Sequence, residues 1–241
     1  MELRREQFAA DQAECIYIEI DCADLAMRMT DGPEVKIEAE VEEAVTEFQC
    51  ENVNGRLEIY YELNHGKKHL HWNQKAPRIT VEIPRDHVFG EFTMELGAGN
   101  ADLREVEICC DRMHIETGAG NFKTGSITAS EAIKIEVGAG NAMLGNVKTK
   151  MADVDCGVGQ LVMNGKVEAE LNVNCGVGKC ELNLEGQESD YSYDISCGIG
   201  KVSINGNSVN GMGGSQQQYY TEAKGRIKVA CGLGKVMIRI A

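Results

Sequence analysis

Four carboxylate side chains recur at nearly equal intervals, each two positions before a Gly-x-Gly triplet. They are Glu95, Glu116, Glu136 and Asp155. If the segments stack about 4.8 Å apart, neighbouring charges repel by about 0.9 kcal/mol in water and about 3.5 kcal/mol at an effective dielectric constant of 20. Such a column has to be solvated, paired with cations, or both. We interpret it as a solvated face, and the same four residues are the candidates for a weak site for a cation such as calcium.

Cysteine directly precedes the first glycine in the four later copies of the triplet, at Cys156, Cys175, Cys197 and Cys231. Thiolates are strong ligands for soft metals. Leu96, Thr117 and Val137 hold the same position in the earlier copies, however, which indicates a small apolar core position that cysteine fills. In-register side chains also run parallel and cannot surround a tetrahedral ion. The same parallel orientation argues against disulfides along the column, although the spacing between segments would suit them. We therefore predict core packing without a metal, and we interpret Cys180 and the remaining cysteines as strand residues.

Histidines gather in the segment NHGKKHLHW, which contains the single tryptophan. His69 and His71 would lie on one face of a strand, where two imidazoles can hold a transition metal. No cysteine or acidic residue is adjacent, and NHGKK is typical of a hairpin tip. A polar hairpin is therefore the prediction, with His69 and His71 kept as candidate ligands.

The sequence contains none of the motifs GxSxG, HExxH or Walker A. A dinucleotide-binding loop is also excluded, because that fingerprint occurs once, between a strand and a helix, with a third glycine at fixed offset. A carbohydrate-active enzyme with paired carboxylates on one face remains the alternative function. Because the acids recur with the repeat, they indicate architecture, and we predict neither enzyme activity nor a cofactor.

The elements that position these residues form a sevenfold repeat. The first glycines of the triplets are Gly97, Gly118, Gly138, Gly157, Gly176, Gly198 and Gly232, with steps of 21, 20, 19, 19, 22 and 34 residues. A period near 20 residues is typical of a solenoid. The residue three positions before each triplet is always Met, Ile or Val, the next is mostly polar, and the third is apolar or small, which is the alternation of a β-strand.

The triplet itself predicts a corner between two strands, where a Cβ atom would clash or φ must be positive. We expect the residue between its glycines to face a tapering core, since it is Ala98, Ala119 and Ala139 early in the chain and Val158, Val177, Ile199 and Leu233 later. The residue after the triplet, from Asn100 to Lys235, is expected to face water.

Two segments depart from the repeat. Residues 1–90 lack the triplet but alternate strongly, as in VKIEAEV, and predict β-rich coils or a cap on a solenoid of residues 91–241, with one continuous domain as the alternative. The polar segment from Asn205 to Tyr220 predicts a surface loop. The final strand VMIRIA, from Val236 to Ala241, is expected to be an unpaired edge that supports homo-oligomers through end strands.

With ITVEIP before LGAGN and the successive GAGN and CGxG copies, the chain resembles the "putative adhesin" family of bacterial β-strand-repeat proteins, a domain of unknown function. The resemblance covers most of the chain. It implies an all-β, right-handed parallel β-helix-like solenoid, frequent association with the cell envelope, and no catalytic residues to transfer.

The composition and charge of the chain exclude some classes of partner. A formal net charge of −14 would repel nucleic acid. No segment approaches the roughly 18 apolar residues of a membrane span, and the first residues do not resemble a signal peptide. Ten cysteines in a chain of this length indicate reduced thiols. We therefore expect a cytoplasmic, non-enzymatic binding or scaffolding protein whose partner is an unknown protein or glycan, with envelope association through a partner as the alternative.

Overall fold

The computed structural model describes residues 2–42, 46–63, 76–210, 214–218 and 222–241. Within these residues the chain forms nineteen β-strands and two single-turn 3₁₀ helices, at Ala10–Gln12 and Glu188–Asp190. The strands are β1 (Glu2–Ala9), β2 (Cys15–Cys22), β3 (Asp24–Thr30), β4 (Glu34–Val41), β5 (Thr46–Val53), β6 (Arg56–Leu63), β7 (Arg78–Pro84), β8 (Val88–Ala98), β9 (Asn100–Thr117), β10 (Asn121–Val137), β11 (Asn141–Cys156), β12 (Gln160–Cys175), β13 (Lys179–Leu184), β14 (Tyr191–Cys197), β15 (Lys201–Ile204), β16 (Asn207–Asn210), β17 (Gly214–Gln218), β18 (Gly225–Cys231) and β19 (Lys235–Ile240). No helix in this part of the chain has the length and hydropathy to cross a bilayer.

Successive strands stack in parallel and in register, as the repeat predicts. Met94 pairs with Ile115, Ile115 with Ile135, and the series continues through Val154 to Val173. These five side chains are buried, and they belong to one hydrophobic core that runs from Ala10 to Ile240. The all-β solenoid prediction is thus confirmed.

The N-terminal portion supplies further coils of the same stack. Strand β2 pairs in parallel with β8 and with β6, and β3 pairs in parallel with β9 and with β7. The corner between β2 and β3 has the sequence Asp21-Cys22-Ala23 in the place of Gly-Ala-Gly. Because residues 1–90 and 91–241 share this core, we propose that they form one continuous domain.

The coils do not follow one another in chain order near the C-terminal end of the stack. Strand β18 lies between β12 and β14, with Val229 paired to Val173 on one side and to Ile195 on the other. Strand β19 likewise lies between β13 and β15. The prediction of VMIRIA as an unpaired edge is therefore wrong. The internal position of β19 agrees with the alternation of its side chains, because the apolar residues Val236, Ile238 and Ile240 are all buried.

Antiparallel strands cover both ends of the stack. At one end β5 pairs with β6, while β4 pairs with β7 and β1 pairs with β4. At the other end β16 pairs with β15 and β17 pairs with β14. Strands β16 and β17 come from the segment predicted as a surface loop, so its described part is a sheet edge. This excursion also gives the chain the length to return and form β18 and β19 inside the stack.

Close packing of the coils explains the second glycine of each triplet. A Cβ atom on Gly159 would lie 2.0 Å from the carbonyl oxygen of Gly140 on the preceding coil, which is shorter than any real contact. The first glycine of the same corner, Gly157, is less confined, with its nearest contact at 2.9 Å. The second glycine therefore takes the inward position of the corner, since only hydrogen fits between the coils.

Candidate functional site

The corner formed by the Gly-x-Gly triplets brings several columns of side chains together. A column here means the residues at one position on successive coils. Strand register places the predicted acidic residues side by side, with Glu95 next to Glu116, Glu116 next to Glu136, and Glu136 next to Asp155. Glu19 of β2 extends this acidic column by one coil, because it pairs with Glu95. The sequence did not reveal Glu19, since its coil lacks the triplet.

Two side chains of the neighbouring column, Lys134 and His114, lie against the middle of the acidic column. Glu136 Oε2 is 2.7 Å from Lys134 Nζ and 2.8 Å from His114 Nε2. One ligand atom each from His114, Glu116 and Glu136 lies within 4.8 Å of the others. Asp155 accepts a hydrogen bond of 2.8 Å from Asn174 Nδ2. The acidic column is thus partly exposed and partly paired. The sequence did not reveal the role of His114, because it precedes its triplet by four residues and contacts Glu136 from an adjacent coil.

Hydrogen bonding to Lys134, followed by His114, holds the pKa of Glu136 below its ordinary value. Its stabilising contribution is therefore complete above the unfolded-state pKa of about 4.3 and is lost as pH falls through the lower folded-state pKa. We expect Glu136→Gln to lower the free energy of unfolding at pH 7 by less than about 1 kcal/mol, as is typical of exposed pairs. The difference from the unsubstituted protein should shrink as pH falls below the unfolded-state pKa of about 4.3.

Glu116→Gln is the matched control for this prediction. Glu116 stands in the same column between two carboxylates and has no close cationic partner among the described ion pairs. Removing its charge should leave stability unchanged or raise it slightly, because like-charge repulsion is relieved. Urea unfolding of both variants across this pH range checks the prediction. Equal losses for the two variants would contradict it.

The candidate ligands His69 and His71 lie outside the described residues. Metal binding by these two histidines therefore stays a prediction from the sequence.

The residue between the two glycines faces solvent, so the prediction of an inward position is wrong. Four such residues on neighbouring coils form the aliphatic column, which consists of Val158, Val177, Leu233 and Ile199, with exposed fractions of 67%, 56%, 59% and 75%. The corner explains the error, because the chain bends there and two successive residues point outward before the second glycine points inward. Strict alternation does not hold across such a bend.

The column after the triplet is exposed or partly exposed, and it changes character along the stack. At one end Asn100 Nδ2 donates to Asp24, Asn121 Nδ2 donates to Asn100, and Asn141 Nδ2 donates to Asn121, at 2.8 to 3.0 Å. At the other end stand three lysines on consecutive coils, Lys179, Lys235 and Lys201. These three lysines are called the lysine column. They flank the aliphatic column on one side.

An open groove of about 610 Å³ flanks the aliphatic column on the other side. Its lining includes Asp155, Asn174, Ala230 and Ser196, and its floor is formed by the first glycines of the corner. Because these glycines carry no side chain, the groove runs along the stack axis. The corner therefore combines an apolar ridge, a row of cations and a concave strip.

The cysteine column lies in the core beneath this corner. Cys156, Cys175, Cys231 and Cys197 stand on consecutive coils and are at most 5% exposed, which confirms the predicted stacking and burial. All of the cysteines are free thiols. Cys180 joins the column from the opposite side of the corner, and its Sγ lies within 4.8 Å of those of Cys156 and Cys175. Its inward position after the triplet was the available signal, but sequence reasoning treated it only as a strand residue.

Hydrogen bonds among these three thiols shift their pKa values in opposite directions. Hydrogen bonds from Cys175 and Cys180 lower the pKa of Cys156, while the same contact with Cys156 raises the pKa of Cys180. Cys156 Sγ also lies 3.4 Å from the carbonyl oxygen of Gly159, and Cys175 Sγ lies 3.2 Å from that of Gly178. The cluster is therefore a packed group of thiols that form hydrogen bonds with one another and with backbone carbonyl oxygens.

Comparison with known proteins identifies both a family and a fold. The model of a family described as Toastrack DUF4097 matches residues 14–231. A crystal structure of a putative adhesin from Bacteroides fragilis aligns with a TM-score of 0.50 at 10% identity, covering 98% of this chain and 97% of that chain. A putative cell adhesion protein from Clostridium sporogenes aligns with a TM-score of 0.44 at 15% identity, covering 100% and 99%. No curated protein matches the chain.

Proposed function

Because this chain belongs to the Toastrack DUF4097 family, we propose that it is a non-enzymatic, adhesin-like binding protein. Its partner is a protein, which contributes an extended segment with aliphatic and acidic side chains. The segment lies along the corner that carries the aliphatic column, with its acidic groups toward the lysine column.

The exposure of the aliphatic column is the observation that carries this proposal. Monomeric proteins expose single hydrophobic residues routinely, but contiguous apolar rows on a surface usually mark an interaction site. Val158, Val177, Leu233 and Ile199 are each more than half exposed and stand on neighbouring coils. Alanine occupies the same position on earlier coils, at Ala98, Ala119 and Ala139. The corner therefore does not itself require large apolar side chains, and a partner that covers them explains their size.

Charge complementarity favours an acidic segment. Within the described residues, neither Lys201 nor Lys235 has a carboxylate within ion-pair distance, whereas Lys179 pairs with Glu181 at 3.2 Å. These two cations are thus available next to the aliphatic column of a protein whose formal net charge is −14. A partner carboxylate at this position would gain attraction without displacing an internal pair.

The groove favours an extended polypeptide over a flat surface. A narrow chain that runs along the stack axis fits beside the aliphatic column, where its aliphatic side chains contact that column and its acidic side chains extend across it toward the lysine column. The residues lining the groove include none of the aromatic side chains that often line small-ligand sites. A glycan is for this reason the less favoured occupant.

The alternative of a carbohydrate-active enzyme has its nearest structural equivalent at His114, Glu116 and Glu136, whose ligand atoms lie within 4.8 Å of one another. A glycosidase needs one carboxyl group with a raised pKa as general acid. The pKa of Glu136 is instead lowered by Lys134 and His114. This arrangement suits an ion pair better than proton donation.

Peptide display provides the test. A random twelve-residue peptide library is selected against the protein, and the enriched peptides are measured by titration calorimetry. We expect enrichment of acidic residues alternating with aliphatic ones. The double variant Val177→Ser and Leu233→Ser should bind the same peptides about tenfold more weakly or worse, because each tenfold loss corresponds to about 1.4 kcal/mol of apolar and packing energy.

Val88→Ser is the matched control, since Val88 is 61% exposed but lies outside the corner. It should leave peptide affinity unchanged. The double variant Lys201→Glu and Lys235→Glu should weaken binding and reduce its dependence on salt. Enrichment of basic peptides, or equal affinity for the unsubstituted protein and the Val177/Leu233 variant, would disprove the proposal.

A further inference from the structure

The three thiols of Cys156, Cys175 and Cys180 form a convergent group, unlike a simple column. Cys156 and Cys175 end strands β11 and β12 and stack on each other, whereas Cys180 is the second residue of strand β13, on the other side of the corner. The three Sγ atoms lie within 4.8 Å of one another, and all three residues are at most 2% exposed. The objection that in-register side chains run parallel does not apply to Cys180, because it approaches the other two from a different strand.

The position of Cys180 is not explained by the repeat. Residues that occupy its position on other coils are aliphatic or aromatic, as with Leu161 on the coil before and Val236 on the coil after. Val137 likewise precedes Cys156 in the cysteine column. Among the described coils, cysteine thus enters the second column once, on the coil that carries Cys175.

The dimensions suit a three-coordinate metal ion. With metal–sulfur bonds of about 2.3 Å, three sulfurs in a plane around an ion are about 4 Å apart. Sulfur atoms separated by up to 4.8 Å reach this spacing through shifts of about half an ångström each. Zinc in structural sites takes four ligands, while thiolates alone favour soft ions such as Cu(I).

The cluster lies close beneath the surface at the corner. The groove beside the aliphatic column includes Cys156 and Cys175 in its lining, together with the glycines Gly157 and Gly176. The thiols are therefore separated from solvent by backbone at the positions where no side chain covers it. Because the three thiols are at most 2% exposed, we expect an ion to enter when this corner opens locally.

From this convergence of three buried thiols under a glycine-floored groove, we propose that Cys156, Cys175 and Cys180 bind one Cu(I) ion. Each Cu–S bond that forms displaces one thiol proton to solvent, and neither copper nor sulfur changes oxidation state. The site is separate from the peptide-binding role of the corner, so either proposal can fail alone.

The test is anaerobic titration of the purified protein with Cu(I) in competition with a coloured chelator. We expect one Cu(I) per chain, the ultraviolet charge-transfer absorption of copper–thiolate bonds, and release of protons on binding. Cys180→Val should weaken Cu(I) binding about 100-fold. Valine occupies the same position at Val236 on the neighbouring coil, so the variant is expected to pack.

Cys110→Val is the matched control, since Cys110 is buried outside the cluster. It should bind Cu(I) as the unsubstituted protein does. If Cys180→Val fails to fold by circular dichroism, Cys156→Val replaces it, because Val137 holds the equivalent position one coil earlier. The proposal is overturned if the unsubstituted protein takes up no Cu(I) even when refolded in its presence, or if the cluster and control variants bind it equally.

Discussion

Removing residues 235–241 is expected to destabilise the protein by about 5–9 kcal/mol and to detach the last coils of the stack. The reason is the central position of β19, which pairs with β13 on one side and β15 on the other. Its side chains Val236, Ile238 and Ile240 are buried, and each contributes about 1.5–3 kcal/mol. A loss of this size approaches the total stability of a typical domain. Chemical unfolding followed by circular dichroism and protease resistance measures it.

Removal of residues 2–9 is the control deletion. Strand β1 has nearly the same length as β19 but, among the described strands, pairs with β4 alone, and most of its side chains are exposed. We expect this deletion to cost about 1 kcal/mol, from the partly buried Phe8 and a single ladder of hydrogen bonds. If both deletions had the same small effect, β19 would not be the internal strand that the register indicates.

Gly159→Ala is expected to destabilise the protein by about 3 kcal/mol or more. The added methyl group would lie 2.0 Å from the Gly140 carbonyl oxygen and 2.9 Å from Val137 Cγ1. Backbone on the neighbouring coil cannot move aside as a flexible side chain can, so two coils have to separate. Overpacking in a dense core typically costs 1–3 kcal/mol, and backbone contacts lie at the upper end.

Gly157→Ala, in the same corner, separates this steric effect from the general preference for glycine at bends. Its Cβ would meet the Gly138 oxygen at 2.9 Å with nothing else closer than 3.5 Å, on the solvent side of the corner. We expect a loss of about 1 kcal/mol in urea unfolding. Equal losses at Gly157 and Gly159 would show that conformational freedom, and not contact between coils, selects glycine at the second position.

Local periodicity was sufficient to predict the columns from the sequence. The recurrence of Met94, Ile115 and Ile135 above polar neighbours specifies both the strand and its buried face, because a shift of one residue would expose every apolar side chain. The acidic and cysteine columns follow from the same register. Even the contact of Lys134 with Glu136 was accessible, since residues two apart on a strand share a face.

What the sequence concealed depends on geometry beyond one strand. The outward position of Val158 arises from the bend at the corner, which interrupts the period of two. The insertion of β19 between two earlier strands depends on the path of the chain through residues 185–224, and no local pattern specifies that path. Cys180 was missed for a related reason, because its approach to Cys175 occurs across a corner, between strands on different faces.

The antiparallel strands at the two ends determine how far this architecture can grow. An uncapped stack of parallel strands would present a hydrogen-bonding template to another copy, as in amyloid fibrils. The edge strands at the two ends include β1, with Arg4, Arg5 and Glu6 along its length, and β17, with the sequence Gly-Ser-Gln-Gln-Gln. Reversed strand direction together with charged or polar edges opposes elongation into filaments. The rod therefore has a length fixed by its own chain, and a binding surface of defined extent.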